Sequence, residues 1–290
     1  MRIGLLDIDG HNFPNLALMK ISAYHKSVGD PVEWVNYFNI YDIVYQSKVF
    51  TFSSDNQNVI NAGMIIAGGT GYNPLITLDP RIELCKPDYS IYPNLEHGYG
   101  FLTRGCPNQC SWCIVPKKEG QIRADSDIED ILQGRKSAIL MDNNVLACEW
   151  GIRQIEKIIR LKVKVDFNQG LDARLIDRPM AKLLSQVRWL SPLRMSCDTD
   201  YMLKAVEKAM QYLREANCTP KRYFVYVMMQ DPEEALRRII LLDKLGMDPF
   251  TQAYIDYSGS YNVTREQERL MRWCNRKQIM RSCKFKDYKY

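Results

Sequence analysis

The sequence predicts an α/β chain: a small parallel α/β domain, then an open or partial barrel of six β/α units, then a short helical tail. Three observations carry this. Short apolar runs alternate with segments of helical periodicity along most of the 290 residues. Several runs end in turns rich in Gly, Asn or Asp, as the strands of parallel sheets do. The six later units occupy about 160 residues, too few for the ~250 of a closed eight-unit barrel.

Taken in order, residues 3–8 form an apolar strand that ends at Asp9-Gly10. Residues 14–28 carry Leu16, Leu18, Met19, Ile21 and Ala23 at helical spacing and stop at Gly29-Asp30-Pro31. Residues 32–35, 41–50 and 64–67 read as strands, the last ending in Gly68-Gly69-Thr70-Gly71. This first domain spans 1–84. Residues 85–94, with Pro87 and Pro93, read as a linker. The barrel is expected over 95–260, and its first strand, 99–103, delivers a cysteine-rich loop. A helical stretch begins at 128–132. Strand 138–141 ends in Asp142-Asn143-Asn144, and helix 149–161 follows. Strand 163–167 ends in Asn168-Gln169-Gly170 and leads to helix 179–187. Then come strand 193–197, helix 200–216, strand 223–229, helix 232–245 and strand 249–255. Residues 261–290 form a basic, partly helical C-terminal extension. In such folds the functional face lies at the strand C-termini, where the cysteine loop and the two Asn-containing turns fall.

Composition narrows the setting. Hydrophobic residues make up 46% and charged residues 25%, as in ordinary globular proteins. A formal net charge of +5, from 39 basic and 34 acidic residues, permits an anionic partner, but nucleic-acid binding through the basic tail is not expected at so modest a charge. No apolar run approaches the ~20 residues that span a bilayer, so no membrane partner is expected. The chain does not open on a secretory signal, and its nine cysteines are an odd number. Together these point to a reducing cytoplasm, where thiols and metal thiolates persist.

Cys106, Cys110 and Cys113 lie at a Cys-x3-Cys-x2-Cys spacing. Three thiolates can hold three irons of a 4Fe–4S cubane and leave the fourth iron open to a cofactor or substrate. Zinc with a fourth ligand elsewhere, or three packing thiols, are the alternatives at this point. So is an electron-transfer protein whose cluster takes a fourth protein ligand. Cys85, Cys148, Cys197, Cys218, Cys274 and Cys283 lack tight spacing and read as packing residues. A second cluster using Cys274 and Cys283 is a weaker alternative.

Cys106-x3-Cys110-x-Trp112-Cys113 resembles the signature of the radical S-adenosylmethionine (SAM) superfamily, including the aromatic before the last cysteine. The resemblance covers the barrel, 95–260. It implies that Cys106, Cys110 and Cys113 ligate the cluster and that the open iron chelates the amino and carboxylate groups of SAM. One-electron reduction would then break the C5′–S bond and give a 5′-deoxyadenosyl radical for hydrogen abstraction. A reductant such as flavodoxin or ferredoxin is implied as partner. Asp142, Asn143 and Asn144 stand where that superfamily usually has a Gly-Gly-Glu-like turn facing the SAM amino group. Arg174 is implied to pair with the SAM carboxylate, or else to form an ordinary salt bridge. Ser196 and Asp198 correspond to contacts with the ribose hydroxyls, and Trp112 to an adenine contact or a cluster shield. The first domain is similar to a truncated Rossmann-like cobalamin-binding domain, on Asp9-Gly10-His11, Ser47-Lys48-Val49 and Gly68-Gly69. That likeness makes His11 a cobalt ligand and cobalamin-dependent methyl transfer the alternative reaction. Pro14 stands in place of that motif's final glycine. The first domain offers only Cys85 near its end and the tail is short, which argues against the RNA methylthiotransferase subgroup.

Overall fold

The computed structural model describes residues 1–10, 13–254 and 263–289. It divides into two compact units, Met1–Tyr99 with Glu129–Gln133, and Gly100–Ile128 with Gly134–Tyr290.

In the first unit, β1 (Ile3–Asp7) leads to α1 (Leu16–Ser27), β2 (Val32–Trp34), β3 (Ile40–Ser47) and β4 (Asn61–Gly68). Their order is β2-β1-β3-β4, and every pairing is parallel. α1 starts where Asn15 accepts from the Leu18 amide at 3.2 Å, satisfying a donor that the first helical turn leaves open. Its inner face packs Leu18 and Ile21 on Ile3 and Leu5 of β1 and on Ile82 of the short α2 (Pro80–Glu83). Parallel neighbours need a crossover, and between β3 and β4 residues 48–60 contain no helix. Met64, Ile65 and Ile66 of β4, the edge strand of this sheet, are exposed.

The division falls at β5 (Gly98–Gly100) and, further on, at α4 (Ile128–Leu132). Between them lie β6 (Thr103–Arg104), α3 (Val115–Lys118) and β7 (Arg123–Ala124). The second unit continues through β8 (Ser137–Leu140), α5 (Glu149–Arg160), β9 (Lys164–Phe167), α6 (Arg178–Leu184) and β10 (Arg188–Trp189). β11 (Leu193–Ser196), α7 (Asp200–Glu215), β12 (Tyr223–Met229), α8 (Pro232–Lys244) and β13 (Asp248–Ala253) complete the alternation, followed by α9 (Arg265–Asn275) and α10 (Lys277–Ser282). Side-chain caps fall where the sequence offers them: Asp177 accepts from Met180, Asp231 from Glu234, and Thr264 with Gln267 forms a capping box.

β8, β9 and β10 pair in parallel, as do β11, β12 and β13. β10 and β11 are two halves of one interrupted strand. Leu190 N still donates to Val165 O at 2.8 Å, whereas Arg194 O already accepts from Leu171 N at 2.8 Å. Pro192 lies between and has no amide hydrogen to carry the ladder through. The parallel Leu171–Met195 bridge then joins the two sheets into one array. This is the mixed α/β, parallel architecture the sequence predicts. Along β11, Leu193, Met195 and Cys197 are buried, while Arg194, Ser196 and Asp198 on the other face are half-buried.

The expected strand 99–103 is not continuous. Regular pairing stops at Gly100, whose carbonyl accepts from Met141 N at 2.9 Å. The next amides are taken by a side chain: Asp142 accepts from Leu102 N at 3.2 Å and Thr103 N at 2.6 Å. β6 then turns to pair antiparallel with β7. The expected final strand ends at Ala253, and Ile255 lies outside the described residues.

Candidate functional site

The β6–β7 pair closes the base of the cysteine loop. Gly105 has φ +81°, and a Cβ there would stand 2.4 Å from Gln121 O and 2.7 Å from Gly120 O. Only glycine fits both that backbone angle and that approach. Cys106 N donates to Gly120 O at 3.2 Å, so the loop returns on itself just as the first thiol emerges. Glu119 clamps the base: one carboxylate oxygen accepts from Gly105 N at 3.0 Å and Asn143 Nδ2 at 2.8 Å, and the other pairs with Arg104 at 3.0 Å. A tight turn, Cys113 N to Cys110 O at 3.0 Å, then sets the second and third thiols.

The three thiols are partly buried and share one electrostatic neighbourhood with Asp172, Arg174 and Asp198. Burial raises the Cys110 and Cys113 thiols, opposed at Cys110 by the nearby Arg174 guanidinium and reinforced by the other thiols and by Asp198. Among the described residues no three His, Cys, Asp or Glu side chains converge as they would around a single metal ion. That convergence belongs to mononuclear zinc, where all ligands meet on one atom. A cubane instead gives each thiolate its own iron and needs no such convergence.

Beside Cys106 the structure places a polar hub. Asp172 Oδ2 accepts from Asn108 Nδ2 at 3.2 Å, Asn144 Nδ2 at 3.1 Å and Arg174 Nη2 at 2.7 Å. Asp172 Oδ1 accepts from Arg174 Nε at 2.8 Å, which completes a bidentate pair. Desolvation works against the charged form of Asp172, but the Arg174 bonds outweigh it and hold the carboxyl below its ordinary value. Asn144 Nδ2 also lies 3.7 Å from Cys106 Sγ. Both neighbours of that nitrogen are acceptors, so the amide orientation is chemically determined. Its oxygen, Asn144 Oδ1, is buried and has no partner among the described residues. A buried acceptor left unpaired is open to a donor such as an ordered water.

The other expected site residues fall out differently. Asp142 is a correction. It is 3% exposed, and both oxygens are taken by Leu102 N, Thr103 N and Thr103 Oγ1, the last at 2.7 Å. It positions the backbone that leads into the cysteine loop and is closed to a cofactor amino group. Burial pushes its carboxyl up to about 6, against those bonds. Asn143 is engaged with Glu119. Arg174 is paired with Asp172, the alternative the sequence left open, and Nη1 has no partner among the described residues. Asp198 Oδ1 accepts from Met228 N at 3.1 Å, and burial raises its carboxyl. Ser196 and Trp112 are half-buried.

Glu119, Asn108 and Arg104 were missed in the sequence. Each lies within the loop or its flanks, but Asn108 meets Asp172 across 64 positions. No local pattern announces that pairing. Cys274 and Cys283 turn separately to Pro249 O at 3.5 Å and Ile279 O at 3.7 Å. Burial raises Cys197 and Cys274 to about 12, which marks inert packing thiols.

His11, the expected cobalt ligand, lies outside the described residues. Of the other residues that carry the likeness, Asp9 Oδ2 accepts from Val49 N at 2.5 Å, Ser47 Oγ accepts from Asn15 Nδ2 at 2.8 Å, and Lys48 pairs with Asp55 at 2.8 Å.

No family model matches the chain. Part of it resembles curated proteins. Over 76 residues the chain is 40% identical to the ribosomal protein uS12 methylthiotransferase RimO of Syntrophus aciditrophicus, a quarter of this chain and 14% of that one. Over 54 residues it is 37% identical to RimO of Thermus thermophilus, 19% of this chain and 12% of that one. The chain thus covers a small fraction of these relatives. SuiB of Streptococcus suis, solved with S-adenosylmethionine bound, overlays 68% of this chain and 51% of its own at TM-score 0.48 and 15% identity.

Proposed function

We propose that this chain is a radical SAM iron–sulfur enzyme whose cluster is held by Cys106, Cys110 and Cys113. When bound, the cluster and SAM supply one-electron cleavage of the sulfonium and a 5′-deoxyadenosyl radical for hydrogen abstraction. The protein's part is positioning and exclusion of water. The local likeness to the RimO proteins supports the superfamily. The single observation that supports this reading is the glycine-turned loop that holds Cys106, Cys110 and Cys113 in one electrostatic neighbourhood with Arg174.

The donor set fits the groups implied. Three cysteines from one loop supply three thiolates. Asn144 Oδ1 is an acceptor without a partner among the described residues, but it is buried, and an ammonium would reach it only if neighbouring side chains moved. Arg174 Nη1 offers a donor to a carboxylate, with Asp172 fixing the guanidinium plane. An amino acid headgroup carries one of each charge, so acceptor and donor together suit it. In this reading Ser196, at the end of β11, and Asp198 just beyond it would accept from ribose hydroxyls, and Trp112 would cover an adenine. Asp142, Glu119 and Arg104 hold the loop and touch no cofactor in this reading. The RimO proteins are named as methylthiotransferases of a ribosomal protein; a peptide substrate and sulfur transfer come to this chain only as a further candidate within the same proposal. No step is routed through cobalamin.

The test is spectroscopic. After anaerobic reconstitution and reduction, SAM addition is expected to shift the cluster's EPR spectrum, and 5′-deoxyadenosine is expected to accumulate. An unchanged spectrum with no 5′-deoxyadenosine would replace this reading with an electron-transfer protein whose fourth iron is ligated by the chain.

A further inference from the structure

We propose that the C-terminal extension is a docking surface for the phosphate backbone of a nucleic acid. The net charge of +5 conceals where the charge lies. Residues 265–289 carry nine basic and three acidic side chains, which leaves thirty basic against thirty-one acidic on the rest of the chain. The whole positive excess therefore sits on 25 consecutive residues.

The fold organises that charge. Arg265, Arg269, Arg272 and Arg276 recur at intervals of four, three and four along α9 and its C-cap, so they form one stripe. The opposite side of α9 buries Gln267, Leu270, Trp273 and Cys274, which fixes the stripe's orientation. Arg269 ties the end of the chain to it, donating to Phe285 O at 2.7 Å and Tyr288 O at 2.9 Å, with its guanidinium carbon 4.4 Å from the Phe285 ring centroid. Lys284, Lys286 and Lys289 flank those anchor points. Arg265, Arg276, Lys284, Lys286 and Lys289 are exposed and make no ion pair among the described residues. Exposed cations without an ion pair keep their charge available to an anionic polymer.

The same surface argues against a membrane. None of the exposed large apolar side chains among the described residues lies in 263–289. An interfacial helix needs such side chains beside its charges. Five unpaired cations predict a slope of about −3.5 for log affinity against log salt on a single strand. Between 50 and 200 mM salt that is a loss of roughly a hundredfold.

Full-length protein, titrated with a fluorescein-labelled mixed-sequence 20-mer of RNA and the matching DNA, tests this by anisotropy. Binding with that salt dependence is expected, independent of iron loading. The Arg265→Glu/Arg276→Glu/Lys286→Glu variant is expected to lose at least tenfold in affinity and to show a flatter slope. These side chains are exposed, and circular dichroism checks the fold. The Lys284→Gln/Lys286→Gln/Lys289→Gln variant, confined to the last turn, is expected to lose less but in the same direction. No binding at 50 mM salt, binding that survives both variants, or binding only to phosphatidylserine vesicles would overturn the proposal. Loss of SAM cleavage with intact RNA binding would leave it standing, so the two proposals fail separately.

Discussion

Both units are parallel α/β sheets, and both present polar side chains where strands end. They differ in what those side chains have left to offer. At the end of β1 and β3 in the first unit, Asp9, Ser47 and Lys48 bond to Val49, Asn15 and Asp55. That edge is closed on itself. In the second unit the cysteine loop, Asn144 and Asp172 converge, and the sum of their bonds still leaves a buried acceptor unpaired. Unmet hydrogen-bonding capacity alone does not mark a site, since Arg104 Nε, Trp189 Nε1, Arg194 Nε and Arg238 Nε are also buried without a partner among the described residues; what distinguishes Asn144 is that its amide lies beside the cysteine loop.

The comparison breaks first at the thiols. Replacing any one of Cys106, Cys110 or Cys113 with Ala is expected to abolish SAM cleavage, read as 5′-deoxyadenosine, and to strip the cluster's visible absorbance. Retention of both in a single variant would move the site elsewhere. Asn144→Ala comes next. It removes the acceptor and loosens Asp172, and is expected to weaken SAM binding by about 10- to 100-fold while iron content stays near wild type. Equilibrium dialysis against labelled SAM with parallel iron analysis separates the two.

Asp142 sharpens the comparison through pH. Its folded-state value, about 6, lies above the ordinary 3.8 because burial disfavours the charge. The folded protein therefore holds this proton more tightly than the unfolded chain. The contribution is fully present below about pH 4 and is lost as pH rises through about 6. Asp142→Asn cannot titrate. Wild type is expected to gain up to about 3 kcal/mol over this variant as pH falls from 7 to 4. Melting curves across that range check it, and a constant difference would remove Asp142 from the account.

Gly105→Ala is expected to cost about 2 kcal/mol or more, from the left-handed backbone and the collision with Gln121 O, and to reduce iron loading in proportion. The smallest effect belongs to the closed edge. Ser47→Ala removes one buried acceptor and is expected to cost about 1 kcal/mol in stability with SAM cleavage unchanged. If SAM cleavage fell instead, the first unit would be part of the chemistry.

Much of this molecule is legible in its sequence alone. The cysteine spacing is legible as a candidate ligand set, because a loop of eight residues confines the three thiols to one short segment whatever surrounds it. Helix starts at Asp177, Asp231 and Thr264 are also readable, since a cap acts over three residues. What only tertiary structure decided is how side chains far apart in the chain are used. Asp142 turned inward to hold Thr103, 39 positions away, while Asn144, two residues later, was left facing the thiols. Asn108 and Asp172 met because one strand register brought β9's end beside the loop. Such meetings depend on the register and spacing of whole strands, which no short window of residues encodes.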